Sequence, residues 1–382
     1  MHMQFTTKLI PLAIAIAFAG SAGAQEVVKI GHVGPISGAS AHLGKDNENG
    51  ARMAIDELNA KGFMLNGKKV TLQLLAEDDA ADPKQGTAVA QKLVDAKING
   101  VIGHLNSGTT LPASRIYHDA GIPEISPSAT IPAYTKQGFK SAFRVVANDN
   151  KLGGTLGRYA VDTLKAKNIA VIDDRSAYGQ GVADEFVKGA KAKMPGVKIV
   201  GKEFTNANAT DFTAILTSIK AKKPDLIFFG GMDSVAGPML KQMKALGITA
   251  KVMGGDGICT ETLSRLAGDA LGESNVVCAE AGGVVGAQEA VLADFTARYK
   301  KKFNTDVQLY APYVYDAVMV MAQSMQNAKS ADPAKYLPEL QKIKYQGVTG
   351  MIQFDPNGDI KDGALTLFTY KGGKKTKMEV VK

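Results

Sequence analysis

Apolar residues along this chain alternate between two spacings. Short β-branched runs at 27–33 and 70–75 read as strands. The stretches 49–60 and 83–97 carry apolar residues at helical spacing, with Ala51, Ala54, Ile55 and Leu58 on one stripe and Val89, Leu93 and Val94 on the other. Within 101–130, the strand-like runs 101–105 and 121–125 each hand over to small hydroxyl residues. Helices are then predicted over 151–166, 181–193, 212–220, 235–246 and 261–266, with strands over 169–172, 197–204, 226–229 and 251–253 between them. Such alternation predicts parallel sheets covered on both faces, which bind ligands outside the carboxyl ends of their strands.

After Val277 the alternation breaks. Two long helices, 288–302 and 310–327, precede a shorter one at 333–344. Two strands, 350–354 and 364–371, close the chain around the turn signal Asp355-Pro356-Asn357-Gly358-Asp359. No low-complexity linker separates the halves, and the seam at 147–150 is short and polar, so two lobes must sit close together.

The repeat within 101–130 raises a chemical question. Its clusters are Asn106-Ser107-Gly108-Thr109-Thr110 and Ser126-Pro127-Ser128-Ala129-Thr130. Hydroxyl residues where a strand ends and a helix opens expose unpaired N–H groups at a positive dipole end. Two such ends side by side suit an anion. Other polar or aromatic residues recur at strand ends: Asp173, Asp174 and Tyr178, Met232 and Asp233, and Asp256. Any one Ser, Thr or Asp alone reads as a helix cap; their recurrence in both halves points to a cleft.

Composition narrows the setting. Lys8 precedes an apolar run from Leu9 to Ala19 and the small-residue pattern Ala22-Gly23-Ala24, so residues 1–24 read as a secretory signal peptide cleaved after Ala24. Its removal leaves 358 of the 382 residues and a formal charge of +7 in place of +8, since Lys8 is its one charged residue. The lysines are scattered, apart from a cluster at 371–377, and no aromatic RNA-binding motif accompanies them. A solvated basic surface is expected, with no nucleic-acid partner. The two cysteines, Cys259 and Cys278, read as a disulfide in an exported protein; a metal pair is the alternative, but no His lies near them.

None of the five histidines makes a metal spacing. His104, at a strand end, is a candidate ligand contact or a structural histidine. No nucleophile elbow and no nucleotide-binding glycine motif is present, and Ser107 has no evident base. Neither cofactor nor metal is called for, and a binding protein is expected ahead of an exported hydrolase.

The stretches KIGHVGPISG (29–38), NGARMAIDELNAKG (49–62), DDAADPKQGTAVAQKLV (78–94), VIGHLNSGTTLPAS (101–114), SPSAT (126–130), DRSAYGQG (174–181), FFGGMD (228–233) and MGGDG (253–257) resemble, in order, the periplasmic Leu/Ile/Val-binding proteins of ABC importers. The resemblance implies a type I periplasmic binding protein: two α/β lobes, each with a parallel-type sheet flanked by helices, joined by three crossings. Lobe one is expected at 26–147 plus 279–354, and lobe two at 148–278 plus 355–382. It implies a periplasmic monomer that captures a branched-chain or other aliphatic amino acid and delivers it to an ABC permease. The alternative is another small carboxylate or amide, such as an aromatic acid.

Carried over residue by residue, the resemblance puts the ligand α-carboxylate on Ser107, Ser128 and Thr130. Its ammonium falls on Asp256, with Tyr178 over the ligand. Leu43, Leu105, Asn106, Met232 and Tyr310 surround the side chain. This sequence departs from the family where Asp256 replaces a longer Glu, where Leu43 and Met232 replace tyrosines, and where the N-terminal disulfide is missing. The amino-acid frame is kept while the side-chain pocket is altered.

Overall fold

In the computed structural model, which describes residues 1–3 and 26–381, the alternation builds two main sheets. The first has five parallel strands in the order Thr71–Asp78, Val27–Gly34, Gly100–Ile102, Glu124–Ser126 and Ala142–Arg144. The second has seven, ordered Lys374–Val381, Leu365–Lys371, Val276–Glu280, Lys251–Gly254, Leu226–Gly230, Asn168–Asp173 and Lys198–Phe204. Its first two strands are antiparallel additions to a parallel five. Leu226–Gly230 (LIFFG) is buried at every position, as a strand covered on both faces must be.

The late helices explain the break in the pattern. The helix Ala311–Ala328 leaves the second sheet behind and packs against the first helix, Ala41–Ala60, and the strand Gly100–Ile102. The chain then returns to add Leu365–Lys371 and Lys374–Val381 to the second sheet. It therefore passes between the two α/β lobes three times.

Four local readings need correction. The first helix begins at Ala41, before the expected residue 49. Its polar opening turns hide the buried face because that face is built from Leu43, Asp46, Asn47 and Gly50. A Cβ at Gly50 would fall on the Ala311 carbonyl, so glycine is what lets the two helices touch. Ser128–Thr130 do not open a helix: they lie in a loop between Pro127 and Pro132, and only the single turn Ala133–Lys136 follows. The strand-like runs are also shorter than read, closing at Ile102 and beginning at Glu124. Finally, the lysine-rich tail is a strand, joined to its neighbour through Gly372 and Gly373, both at positive φ.

Cys259 and Cys278 are joined by a disulfide, with Cα atoms 5.3 Å apart. The expected signal peptide lies outside the described residues, apart from residues 1–3. Among the described residues no helix is long and apolar enough to cross a membrane.

Candidate functional site

Asp256 opens a short 3-10 turn after the strand Lys251–Gly254 and is fully buried. The Tyr178 hydroxyl donates to one carboxylate oxygen over 2.7 Å, and the Tyr310 hydroxyl to the other over 3.0 Å. Tyr178 begins the helix Ala177–Lys193 on the second-sheet side; Tyr310 caps Ala311–Ala328, which belongs with the first sheet. One carboxylate thus ties both lobes. Burial pushes its pKa up to about 6, while the two phenol donors pull it back down. Both phenols are themselves shifted well upward, first by burial and then by the charge of Asp256, so they stay protonated donors.

The glycines beside Asp256 serve the same geometry. A Cβ at Gly255 would collide with the Tyr178 hydroxyl. One at Gly257 would meet the Tyr178 ring and the Met232 sulfur. The GGDG stretch is therefore a cradle for Tyr178.

The first-sheet side supplies neutral donors. Asn106 precedes the helix Ser107–Asp119 but its side chain makes no cap bond, so the first N–H groups of that helix point out of its end. The buried Ser107 Oγ accepts the Ile131 N–H over 3.2 Å, which keeps its own proton available. Ser128 differs: its hydroxyl donates to the Leu105 carbonyl over 3.0 Å. Thr130 is buried beside Asp149, and neither side chain makes a hydrogen bond of ordinary geometry. The Asp149 carboxyl is pushed up to about 7 by burial, against the lowering effect of the Thr130 hydroxyl, and Asp256 raises it further.

Two contacts bring these ends together. A Cβ on Gly108 would touch that of Ala177, so the start of the Ser107–Asp119 helix lies against the turn that carries Tyr178. The backbone N–H of Asp149 donates to the Thr130 carbonyl over 2.9 Å, tying the loop to the seam between lobes. Leu43, Leu105 and Met232 are buried, and Asn106 is half-buried with an unpartnered Oδ1.

His104 is structural. Its ring nitrogens lie 3.0 Å from Asp79 and 3.1 Å from the Tyr117 hydroxyl. Among the described residues no His/Cys/Asp/Glu cluster suits a metal.

Asp46 is a residue that sequence reasoning missed. Its carboxylate accepts the backbone N–H groups of Gln308, Leu309, Tyr310 and Ala311 at 2.8–3.0 Å and the Tyr299 hydroxyl at 3.1 Å. It anchors the start of the late helix and so aims Tyr310 at Asp256. No local signal marks it, since its partners lie more than 250 residues away.

A family model described as periplasmic binding protein matches residues 27–375. The Leu/Ile/Val-binding protein homolog 1 of Brucella abortus is 36% identical over 366 residues, covering 95% of both chains. A leucine-, isoleucine-, valine-, threonine- and alanine-binding protein of Pseudomonas aeruginosa is 34% identical over 368 residues and 96% of both chains. Among solved structures, a branched-chain amino acid transporter substrate-binding protein of Streptococcus pneumoniae in complex with isoleucine superposes with a TM-score of 0.83. It is 29% identical, covering 93% of this chain and 99% of that one.

Proposed function

This chain belongs to the periplasmic binding protein family, and we propose that it captures a small aliphatic amino acid between its lobes and delivers it to an ABC permease. One observation carries the ligand class: a buried carboxylate, Asp256, held by tyrosines from both lobes near a helix start that offers only neutral donors. An α-amino acid needs a cation site and an anion site a few ångströms apart, because both charged groups hang on one carbon. Asp256 receives the ammonium. Ser107 and the N–H groups at its helix start, with the loop Ser128–Thr130, receive the carboxylate. Leu43, Leu105, Asn106, Met232, Tyr178 and Tyr310 enclose the side chain.

The proposed lobes are residues 26–147 with 279–354, and 148–278 with 355–382; the two main sheets follow this division except at the strand Val276–Glu280, which stays in the second sheet two residues past the 278/279 boundary. The protein acts as an exported monomer, cleaved after Ala24. Names of the relatives, several of which carry leucine, isoleucine and valine, support the aliphatic choice.

A thermal-shift panel of amino acids and aromatic acids, followed by calorimetry on the hits, tests the reading. Leucine, isoleucine or valine should raise the melting temperature and bind one to one. Stabilisation by aromatic acids alone would replace the amino-acid reading with the carboxylate one.

A further inference from the structure

Beside the ligand-facing residues, one polar pair spans the lobes without belonging to the site described. His42 lies on the first helix, next to Leu43; Asp233 opens the helix Asp233–Ala245, next to Met232. His42 Nε2 lies 2.8 Å from Asp233 Oδ2. A carboxylate accepts, so Nε2–H is the donor. The His42 side chain is 20% exposed and that of Asp233 is fully buried. The same carboxylate oxygen accepts the Thr260 hydroxyl, whose oxygen takes the Leu263 N–H over 3.1 Å; the other, Oδ1, is buried without a partner.

Thr260, Leu263 and Asp233 share one lobe. Only His42 comes from the other. If the lobes part, Asp233 regains water on its open side; if they shut, it loses that water and gains His42. Shutting without His42 would bury a carboxylate satisfied by one hydroxyl alone, which is costly. The pair also joins the immediate neighbours of Leu43 and Met232, so making it draws the two pocket walls together.

We infer that His42 and Asp233 form a latch between the lobes, His42 acting as a positioning residue that sets how far the closed form outweighs the open one. The apparent affinity of a clamp is its intrinsic affinity scaled by the population of the closing state. A latch that does not touch the ligand therefore scales all affinities alike and leaves selectivity unchanged. The inference rests on the proposed function only in requiring that a ligand be held between the lobes.

The test compares wild type, His42→Ala, His42→Gln and the double variant His42→Ala with Asp233→Asn, using leucine, isoleucine and alanine in calorimetry and stopped-flow binding. His42→Ala should weaken all three by about tenfold, the share of one charge-assisted hydrogen bond, and the loss should lie in faster dissociation. His42→Gln, which keeps an N–H donor, should stay within about threefold of wild type. In the double variant, Asp233→Asn should recover part of the loss, because the unpaired charge is gone. Ligand-free melting temperatures should match throughout.

A His42→Ala affinity within twofold of wild type overturns the latch. So does a loss that differs widely between leucine and alanine, which would mean ligand contact. Should wild type bind no amino acid but bind benzoate, the amino-acid reading falls, and the same ratio measured with benzoate still decides the latch.

Discussion

The two ends of the cleft solve opposite problems. On the first-sheet side the groups are neutral and hold one another: Ser107 takes the Ile131 N–H, and Ser128 donates to the Leu105 carbonyl. On the second-sheet side the Asp256 carboxylate is buried, its pKa pushed up to about 6 although two phenols donate to it. Neutral donors that are already paired cost little to bury. A carboxylate remains unfavourable until a cation joins it. If Asp256 receives the ammonium as proposed, the anion end orients a ligand while the cation end selects it.

The sharpest way to break this contrast is Asp256→Ala. With the carboxylate gone, a bound ammonium is buried and unpaired, a loss of about 2–5 kcal/mol for a truncated buried charge pair. Leucine affinity measured by calorimetry should fall a hundredfold or more. An unchanged affinity would mean that no ammonium sits there.

Next comes the tether behind Asp256. Cys259 closes the same 3-10 turn and is bonded to Cys278 on the strand Val276–Glu280. Replacing both by serine should lower the unfolding free energy in urea by about 2–4 kcal/mol. It should also weaken leucine binding, because the turn that aims the carboxylate loses its clamp. Equal stability before and after would separate the disulfide from the site's rigidity.

Some of this was legible and some was not, for physical reasons. Alternating apolar spacing revealed both sheets, because burial on two faces leaves a mark at every strand. The cysteine pair was legible from export and number. The start of the first helix was not, since its contact face uses Gly50, Asp46 and Asn47 in place of apolar residues. The edge strand Lys374–Val381 was missed because charged side chains are what an exposed edge carries. Within the site, the resemblance gave Asp256, Tyr178 and Tyr310 separate roles around a ligand; the hydrogen bonds that join them run between residues 78 and 54 positions apart and leave no local mark. His42 found its partner 191 residues away, beyond the reach of any local pattern.

At the neutral end, Ser107→Ala should cost about 1–3 kcal/mol in leucine affinity, less than Asp256→Ala, because backbone N–H donors remain. Calorimetry on both variants checks the order. A reversal would place the selective interaction at the anion end and undo the contrast.

The smallest effect is the one that pH should reveal. The folded Asp256 carboxyl titrates near about 6, above the usual carboxylate value of 3.8. Between those values the folded chain binds a proton that the unfolded chain has released, so this group's contribution to ligand-free stability falls as pH rises through the window. Asp149, pushed up to about 7, acts in the same direction. Ligand binding has the opposite sign, because an ammonium requires the ionised form. Below about pH 6, leucine affinity should therefore drop by roughly tenfold per unit. Calorimetry at pH 5, 6 and 7.5 resolves this. The deaminated analogue 4-methylpentanoate, which brings no cation, should bind better at pH 5 than at 7.5, since protonation of Asp256 removes the repulsion. If leucine affinity is flat across this range, the buried carboxylate is not what the ligand's ammonium meets.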